Sequence, residues 1–222
     1  MKTISLSILA SAVLTVCMPA AAATFTNGSF EAGTPVGNYG DVSSQRLLSG
    51  DNTTLSGWTV TGAAGNDIAW IGAGNPYNLT GSEGNNFLDL TGWQSGGVAG
   101  KGVAQTFDTV NGQQYSVSFA LGNSTNYNYG ASSALTVTAG NLSQTVFSLT
   151  NDSTNSWDRF ALNFVAQGSS TTLSFTGLQA TYYIGLDNVS VTAVPEPETY
   201  AMLLMGLGVI GAIARRCKAQ QA

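Results

Sequence analysis

The feature that most constrains this chain is a period of two. Tyr115, Val117, Phe119 and Leu121 alternate with Ser116, Ser118 and Ala120. In an extended strand successive side chains point to opposite faces, so this pattern buries one face only. Phe160, Leu162, Phe164 and Ala166 alternate in the same way, as do Leu173 with Phe175 and Val189 with Val191; Leu135 with Val137, and Val146 with Phe147 and Leu149, are weaker examples. Turn clusters divide these runs at Asn111-Gly112, Ala139-Gly140-Asn141, Asn151-Asp152-Ser153 and Gln167-Gly168-Ser169-Ser170. Strands at this spacing, with no helical period between them, predict an all-β sandwich or jelly roll. The first half carries longer glycine-rich connections, at 33–50, 72–84 and 92–102, where a β scaffold usually places binding residues.

Both ends of the chain depart from this pattern. Lys2, an apolar stretch from Ile4 to Val16, and Ala21-Ala22-Ala23 predict a secretory signal peptide over 1–23. Cys17 falls within it, and the bulky Val16 argues against a lipoprotein signal. At the other end, Val194-Pro195-Glu196-Pro197-Glu198-Thr199 precedes an apolar run of 15 residues, Tyr200–Ala214, followed by Arg215, Arg216, Cys217 and Lys218. As a helix that run is about 22 Å long, short against a hydrocarbon core of about 30 Å. It is apolar all round, with Tyr200 suited to one interface and Arg215 and Arg216 to the other, so a membrane helix is preferred to a buried soluble one. Gly206-Leu207-Gly208-Val209-Ile210-Gly211 matches a dinucleotide-binding pattern but lacks its strand, helix and acidic partner. Small residues in a membrane helix account for it.

The terminal order of Pro195-Glu196-Pro197, apolar run and Arg215-Arg216 resembles the PEP-CTERM sorting signal. That resemblance implies recognition at the Pro-Glu-Pro by the membrane enzyme exosortase, which removes the tail. It further implies transient inner-membrane insertion, a Gram-negative host making extracellular polysaccharide, and a final place at the cell surface or in a biofilm matrix. Residues 194–222 then form a sorting segment, and 24–193 the mature domain.

The mature domain has 170 residues, enough for one core, and neither cysteine of the chain lies within it. It carries three cations, Arg46, Lys101 and Arg159, against ten Asp and Glu, a net charge of −7. Such a balance argues against nucleic acid and anionic lipid as partners. Abundant Ser, Thr, Asn and Gly match neutral polyhydroxylated partners. The chain has no His, which removes Ser-His-Asp and Cys-His chemistry and most zinc sites. A carboxylate pair for glycoside hydrolysis remains arithmetically open among Asp41, Asp67, Glu83 and Asp89, but they are scattered singly, and no enzyme activity is expected.

A second resemblance spans the domain. Asn27-Gly28-Ser29-Phe30-Glu31, Gly57-Trp58-Thr59-Val60, Phe87-Leu88-Asp89-Leu90, Gln105-Thr106-Phe107 and Ile184-Gly185-Leu186-Asp187-Asn188-Val189 stand in the order seen in galactose-binding-like jelly rolls. These include several carbohydrate-binding module families. The resemblance implies a structural Ca2+ at the matching carboxylates, Glu31 and Asp187. The alternative is that both carboxylates satisfy backbone donors where the terminal strands meet. For sugar stacking, aromatic residues in polar loops are the candidates: Trp70, Tyr77, Trp93, Tyr127 and Tyr129, with amides at Asn75, Asn78, Asn126 and Asn128. Trp58 and Trp157, at strand starts, are assigned to the core. Two functions follow: a non-catalytic module that binds extracellular polysaccharide, or a structural matrix protein without a specific glycan.

Overall fold

The computed structural model describes residues 24–35, 43–76, 79–92, 98–123, 133–148, 156–178, 183–195 and 205–207. Eleven strands are formed: β1 Ser44–Leu48, β2 Thr59–Thr61, β3 Asp67–Ile71, β4 Phe87–Asp89, β5 Gly102–Asp108 and β6 Gln114–Asn123, then β7 Ser133–Ala139, β8 Leu142–Ser148, β9 Ser156–Val165, β10 Ser170–Gly177 and β11 Gly185–Ala193. They make a six-stranded sheet in the order β1-β3-β4-β11-β6-β9 and a five-stranded sheet in the order β2-β5-β10-β7-β8. Every pairing is antiparallel. The predicted all-β sandwich is the fold.

The alternating residues meet between the two sheets. Tyr115, Val117, Phe119 and Leu121 of β6 face Leu135 and Val137 of β7 and Leu173 and Phe175 of β10 in one buried cluster. Phe119 stacks on Phe160 across β6 and β9 and meets Phe175 of the opposite sheet edge to face, centroids 5.4 and 5.1 Å apart. The expected turns at Asn111-Gly112 and Gly140 carry glycine at φ +83° and +53°. Phe147 departs from the expectation: its parity on β8 turns it outwards, 58% exposed.

Two tryptophans fasten the N-terminal turn to this core. Trp58 is buried, as assigned, and its Nε1 donates to the Asn27 carbonyl at 2.9 Å. Trp70 is a correction to the candidate list. It lies in β3 rather than a loop, shares the inward face with Ile68, and is 5% exposed. Its Nε1 donates to the Phe30 carbonyl at 2.8 Å, so neither ring face is offered to a ligand.

The sandwich has two distinct poles. At one, the β5–β6 hairpin, the β7–β8 turn, the β9–β10 turn and the exit of β11 gather: Val165 N donates to Asn141 Oδ1, and Val194 N to the Gln114 carbonyl. At the other, Asn123 pairs with Ser156 and Ser133 with Ser148, and Ser133 Oγ bonds the carbonyls of Gly122 and Tyr183. Four longer connections, 90–101, 124–132, 149–155 and 178–184, start and finish at this second pole, whereas the longest, 72–86, joins β3 and β4 at their other ends. Among the described residues no helix is long and apolar enough to cross a membrane; most of the tail lies outside them.

Candidate functional site

The outer face of the six-stranded sheet is unusual where β3, β4, β11, β6 and β9 run side by side. Cross-strand register puts Ala69, Asp89, Gly185, Gly122 and Trp157 in one row on that face. Two members of the row are glycines, and an indole occupies the space. An added Cβ on Gly122 would lie 2.7–2.9 Å from three atoms of the Trp157 six-membered ring, and one on Gly185 would lie 3.0 Å from its Cη2. Near-equal distances to adjacent ring atoms mean that the indole lies flat on the strand backbone. Its Nε1 donates to the Thr80 carbonyl at 2.9 Å, and Phe87 meets it edge to face at 5.6 Å. Beneath it Leu79, Ile71 and Tyr183 are buried, which explains why β3 and β4 are buried on both faces. Trp157 itself stays partly exposed.

One step along β9 on the same face stands Arg159, exposed. With its amide oriented by its partners, Asn188 accepts from Arg159 Nη1 at 3.1 Å and donates to Glu83 Oε2 at 2.8 Å. Asn188 is at φ +51°, within a register shift between Asp187 and Ser190 of β11. The bulge re-aims these side chains onto the outer face. A polar rim of Arg159, Asn188 and Glu83, offering both donors and acceptors, therefore adjoins a flat aromatic face.

Glu31 and Asp187, the expected metal pair, stand next to this rim and are brought together by the loop 82–86. Glu31 Oε1 accepts from the amides of Asn85 and Asn86 at 2.7 and 2.6 Å. Asp187 Oδ2 accepts from Glu83 N at 2.9 Å, and its Oδ1 from Asn188 N at 2.6 Å. Gly84 at φ +69° allows the approach, since a Cβ there would come within 2.5 Å of Glu31 Oε1. The strained turn that delivers Glu31 holds Phe30 at φ +55°, an uncommon conformation for a bulky residue. Burial raises the Asp187 carboxyl to about 7, against the pull of three backbone amides, and the Glu31 charge adds to the rise.

The donors are hard oxygens, as Ca2+ requires, but among the described residues no group of three acidic, His or Cys side chains converges on one point. Two carboxylates would need completion by carbonyls and water.

The other acidic candidates form a buried network at the second pole. Asp67 pairs with Arg46, and Lys101, 2% exposed, donates to the Thr91 carbonyl. Asp89 accepts from the Thr91 amide and hydroxyl at 2.9 and 2.8 Å and from Ile184 N at 3.1 Å. Burial lifts Asp89 to about 6, and burial also lowers Lys101. Asp67 and Asp89 are both nine-tenths or more buried, and solvent does not reach them as it must reach a hydrolytic pair.

Of the other expected residues, Asn75 holds its own turn, donating to the carbonyls of Gly72 and Leu79 at 3.0 and 2.8 Å. Pro195 is exposed beyond the end of β11. Tyr77, Asn78, Trp93, Asn126, Tyr127, Asn128, Tyr129, Asp41, Glu196, Pro197, Arg215 and Arg216 lie outside the described residues. Trp157, assigned to the core from the sequence, does pack on the buried set Ile71, Leu79, Phe87 and Tyr183 but stays partly exposed beside Arg159, which the sequence analysis did not single out. The signal for Trp157 and Arg159 was parity: they share the odd positions of β9 with Ala161 and Asn163, opposite the core set Phe160, Leu162 and Phe164.

Comparison with known proteins adds kinship. Residues 23–192 match the family described as "Protein of unknown function (DUF642)", and residues 193–218 match the PEP-CTERM protein-sorting motif. No curated protein matches the chain. Similar solved structures include a CBM4 module, 18% identical over 77% of this chain and 100% of its own, TM-score 0.42. Another is TmCBM61 in complex with beta-1,4-galactotriose, 15% identical over 78% of this chain and 99% of its own, TM-score 0.48. A third is the CBM22-1 xylan-binding domain from Paenibacillus barcinonensis, 16% identical over 68% and 94%, TM-score 0.42. All three are distant in sequence and in shape.

Proposed function

The chain belongs to the DUF642 family over residues 23–192, a premise that fixes kinship without an activity, and from it we propose an exported, non-catalytic carbohydrate-binding protein. The observation that carries this reading is Trp157. Its indole is laid flat on two glycines, partly exposed, with Arg159, Asn188 and Glu83 along one side. A pyranose ring has apolar C–H faces and hydroxyl edges. It needs a flat aromatic surface beneath and amide, guanidinium or carboxylate partners at the rim, and this face offers both.

The ligand class is a neutral glycan. Glu83 belongs to the rim and Glu31 and Asp187 lie beside it, and the mature domain carries three cations against ten acids. An acidic polysaccharide would approach against that field. A Ca2+ ion between Glu31 and Asp187 is proposed as a structural part only. It would neutralise the pair and hold the loop 82–86 beside the rim.

Export and sorting rest on the PEP-CTERM match over 193–218. In this reading exosortase acts at Pro195-Glu196-Pro197, the tail is held in the inner membrane until then, and the domain ends at the cell surface or in an extracellular matrix. The competing role, a structural matrix component, is favoured by one fact: among the described residues no second exposed aromatic joins Trp157 on this face. Affinity electrophoresis of residues 24–195 through gels containing neutral or acidic polysaccharides separates the two. Retardation by at least one neutral polymer is expected. Passage through every gel at the control rate would leave the structural role standing.

A further inference from the structure

The exit of β11 determines how the domain stands on its tail. Val194 N donates to the Gln114 carbonyl at 2.9 Å, and Gln113 Nε2 donates to the Val194 carbonyl at 2.6 Å. The last residue before the sorting motif is thus clamped on both sides by the β5–β6 hairpin. Five residues, 195–199, separate it from the apolar run that starts at Tyr200. Fully extended, five residues reach about 17 Å. The chain leaves from the pole of turns, and the pole of long connections lies at the far end of β6, ten residues or about 30 Å away.

The pole at the exit carries little charge. Residues 108–114, 139–142, 166–170 and 193–195 include a single charged side chain, Asp108, in a domain whose net charge is −7. Val110 stands at the hairpin, 51% exposed. The connections of the other pole, 90–101, 124–132, 149–155 and 178–184, are equally sparse in charge, with Lys101 and Asp152 alone, so the tether of about 17 Å rather than charge decides which pole approaches a phospholipid surface.

We propose that the β5–β6 hairpin pole faces the membrane that holds the tail, at a height set by the Gln113–Gln114 clamp on Val194. The occupant of this pole is the lipid surface, because the chain itself runs from the clamp into the apolar segment. Two consequences follow. The Trp157 face and the long connections are held away from the membrane, where a polysaccharide meets them before the tail is cut. A tether of only five residues would leave the Pro-Glu-Pro within reach of an active site at the membrane surface and short of room for bulky soluble proteases. This inference rests on the membrane-tail reading.

The test uses the full chain with Cys17 and Cys217 replaced by serine, in phosphatidylethanolamine–phosphatidylglycerol vesicles carrying a headgroup acceptor dye. A donor dye is placed by Asn111→Cys at the hairpin or by Leu178→Cys at the other pole. Energy transfer from position 111 is expected to exceed that from 178 several-fold; equal or reversed transfer overturns the proposal. Vesicle flotation separates the two failures. A chain that does not float overturns the membrane-tail reading and this proposal with it, whereas one that floats with equal transfer overturns the orientation alone. A twelve-residue Gly-Ser insert between Val194 and Pro195 is expected to bring the two signals within twofold, and an undiminished contrast overturns the role of the clamp. A contrast that disappears on dilution of protein in lipid assigns the pole to a second copy, and also overturns it.

Discussion

Substituting Gly122 tests the arrangement on which the site depends. Gly122 has an ordinary β conformation, so alanine is compatible with its backbone, and only the space above it is at issue. An alanine Cβ would lie 2.7, 2.8 and 2.9 Å from Trp157 Cε3, Cζ3 and Cδ2, closer than real contacts allow. The indole would have to lift, straining the Nε1 bond to Thr80. Overpacking of this kind costs about 1–3 kcal/mol. Removing a strand glycine returns about 0.4–1 kcal/mol by reducing freedom in the unfolded chain. The net for Gly122→Ala is a loss of about 1–2 kcal/mol. In a Trp157→Ala background the clash is gone, and the same substitution should be neutral or stabilise by up to about 1 kcal/mol. The coupling energy is therefore about 1–3 kcal/mol. Urea unfolding of residues 24–195, followed by far-UV circular dichroism for wild type, both single variants and the double variant, measures it. If Gly122→Ala costs the same with and without the indole, Trp157 does not lie on that glycine and the platform is wrongly described.

Three further outcomes can be checked on the same material. Asp89 is raised from 3.8 to about 6 in the folded state, so the native protein holds this proton longer than the unfolded chain; stability from this group is full below about pH 4 and falls by about 3 kcal/mol as pH rises to 6. Asp89→Asn should flatten that part of a stability–pH profile, and an unchanged slope would count against the buried-acid description. Calcium at about a hundredfold over its dissociation constant should raise the thermal midpoint by about 5–10 °C, with Glu31→Gln abolishing the rise; an identical midpoint in chelator removes the ion from the account. Deleting Tyr200–Ala222 should release soluble domain, while replacing Pro195-Glu196-Pro197 with alanines should leave the tail attached, and normal processing of the second variant would defeat the sorting assignment.

The strand framework was legible because burial writes itself into the sequence with period two. β6 carries Tyr115, Val117, Phe119 and Leu121 inwards exactly as many residues apart as the pleat requires, and β9 and β10 follow. The platform was legible by the same rule, since Trp157 and Phe160 differ in parity, but a tryptophan at a strand start is read as core when its partner row is unknown. What makes the outer face open to an indole is the register that aligns Gly122 and Gly185 beneath it, a long-range pairing that no local pattern encodes. Trp70 failed for the complementary reason. A polar, glycine-rich neighbourhood suggested a loop, yet β3 is covered on both faces, so its surroundings in sequence said little about its surroundings in space. Glu31 and Asp187 stand together, and each accepts backbone amides, as the alternative to a metal site expected. Their wrapping by the amides of loop 82–86 could not be read, because backbone donors look alike at every residue and only the φ values of Phe30, Gly84 and Asn188 aim them.

The central claim is that the Trp157 face binds a neutral glycan. Its most direct test is isothermal titration of residues 24–195 with oligosaccharides of whichever neutral polymer retards the domain most, comparing wild type with Trp157→Ala at matched folded fraction. Loss of the stacking surface should weaken binding at least tenfold, with Arg159→Ala giving a smaller loss of about threefold to tenfold, in line with about 1 kcal/mol for a rim hydrogen bond. Unchanged affinity in Trp157→Ala would place the binding elsewhere on the domain and contradict the account.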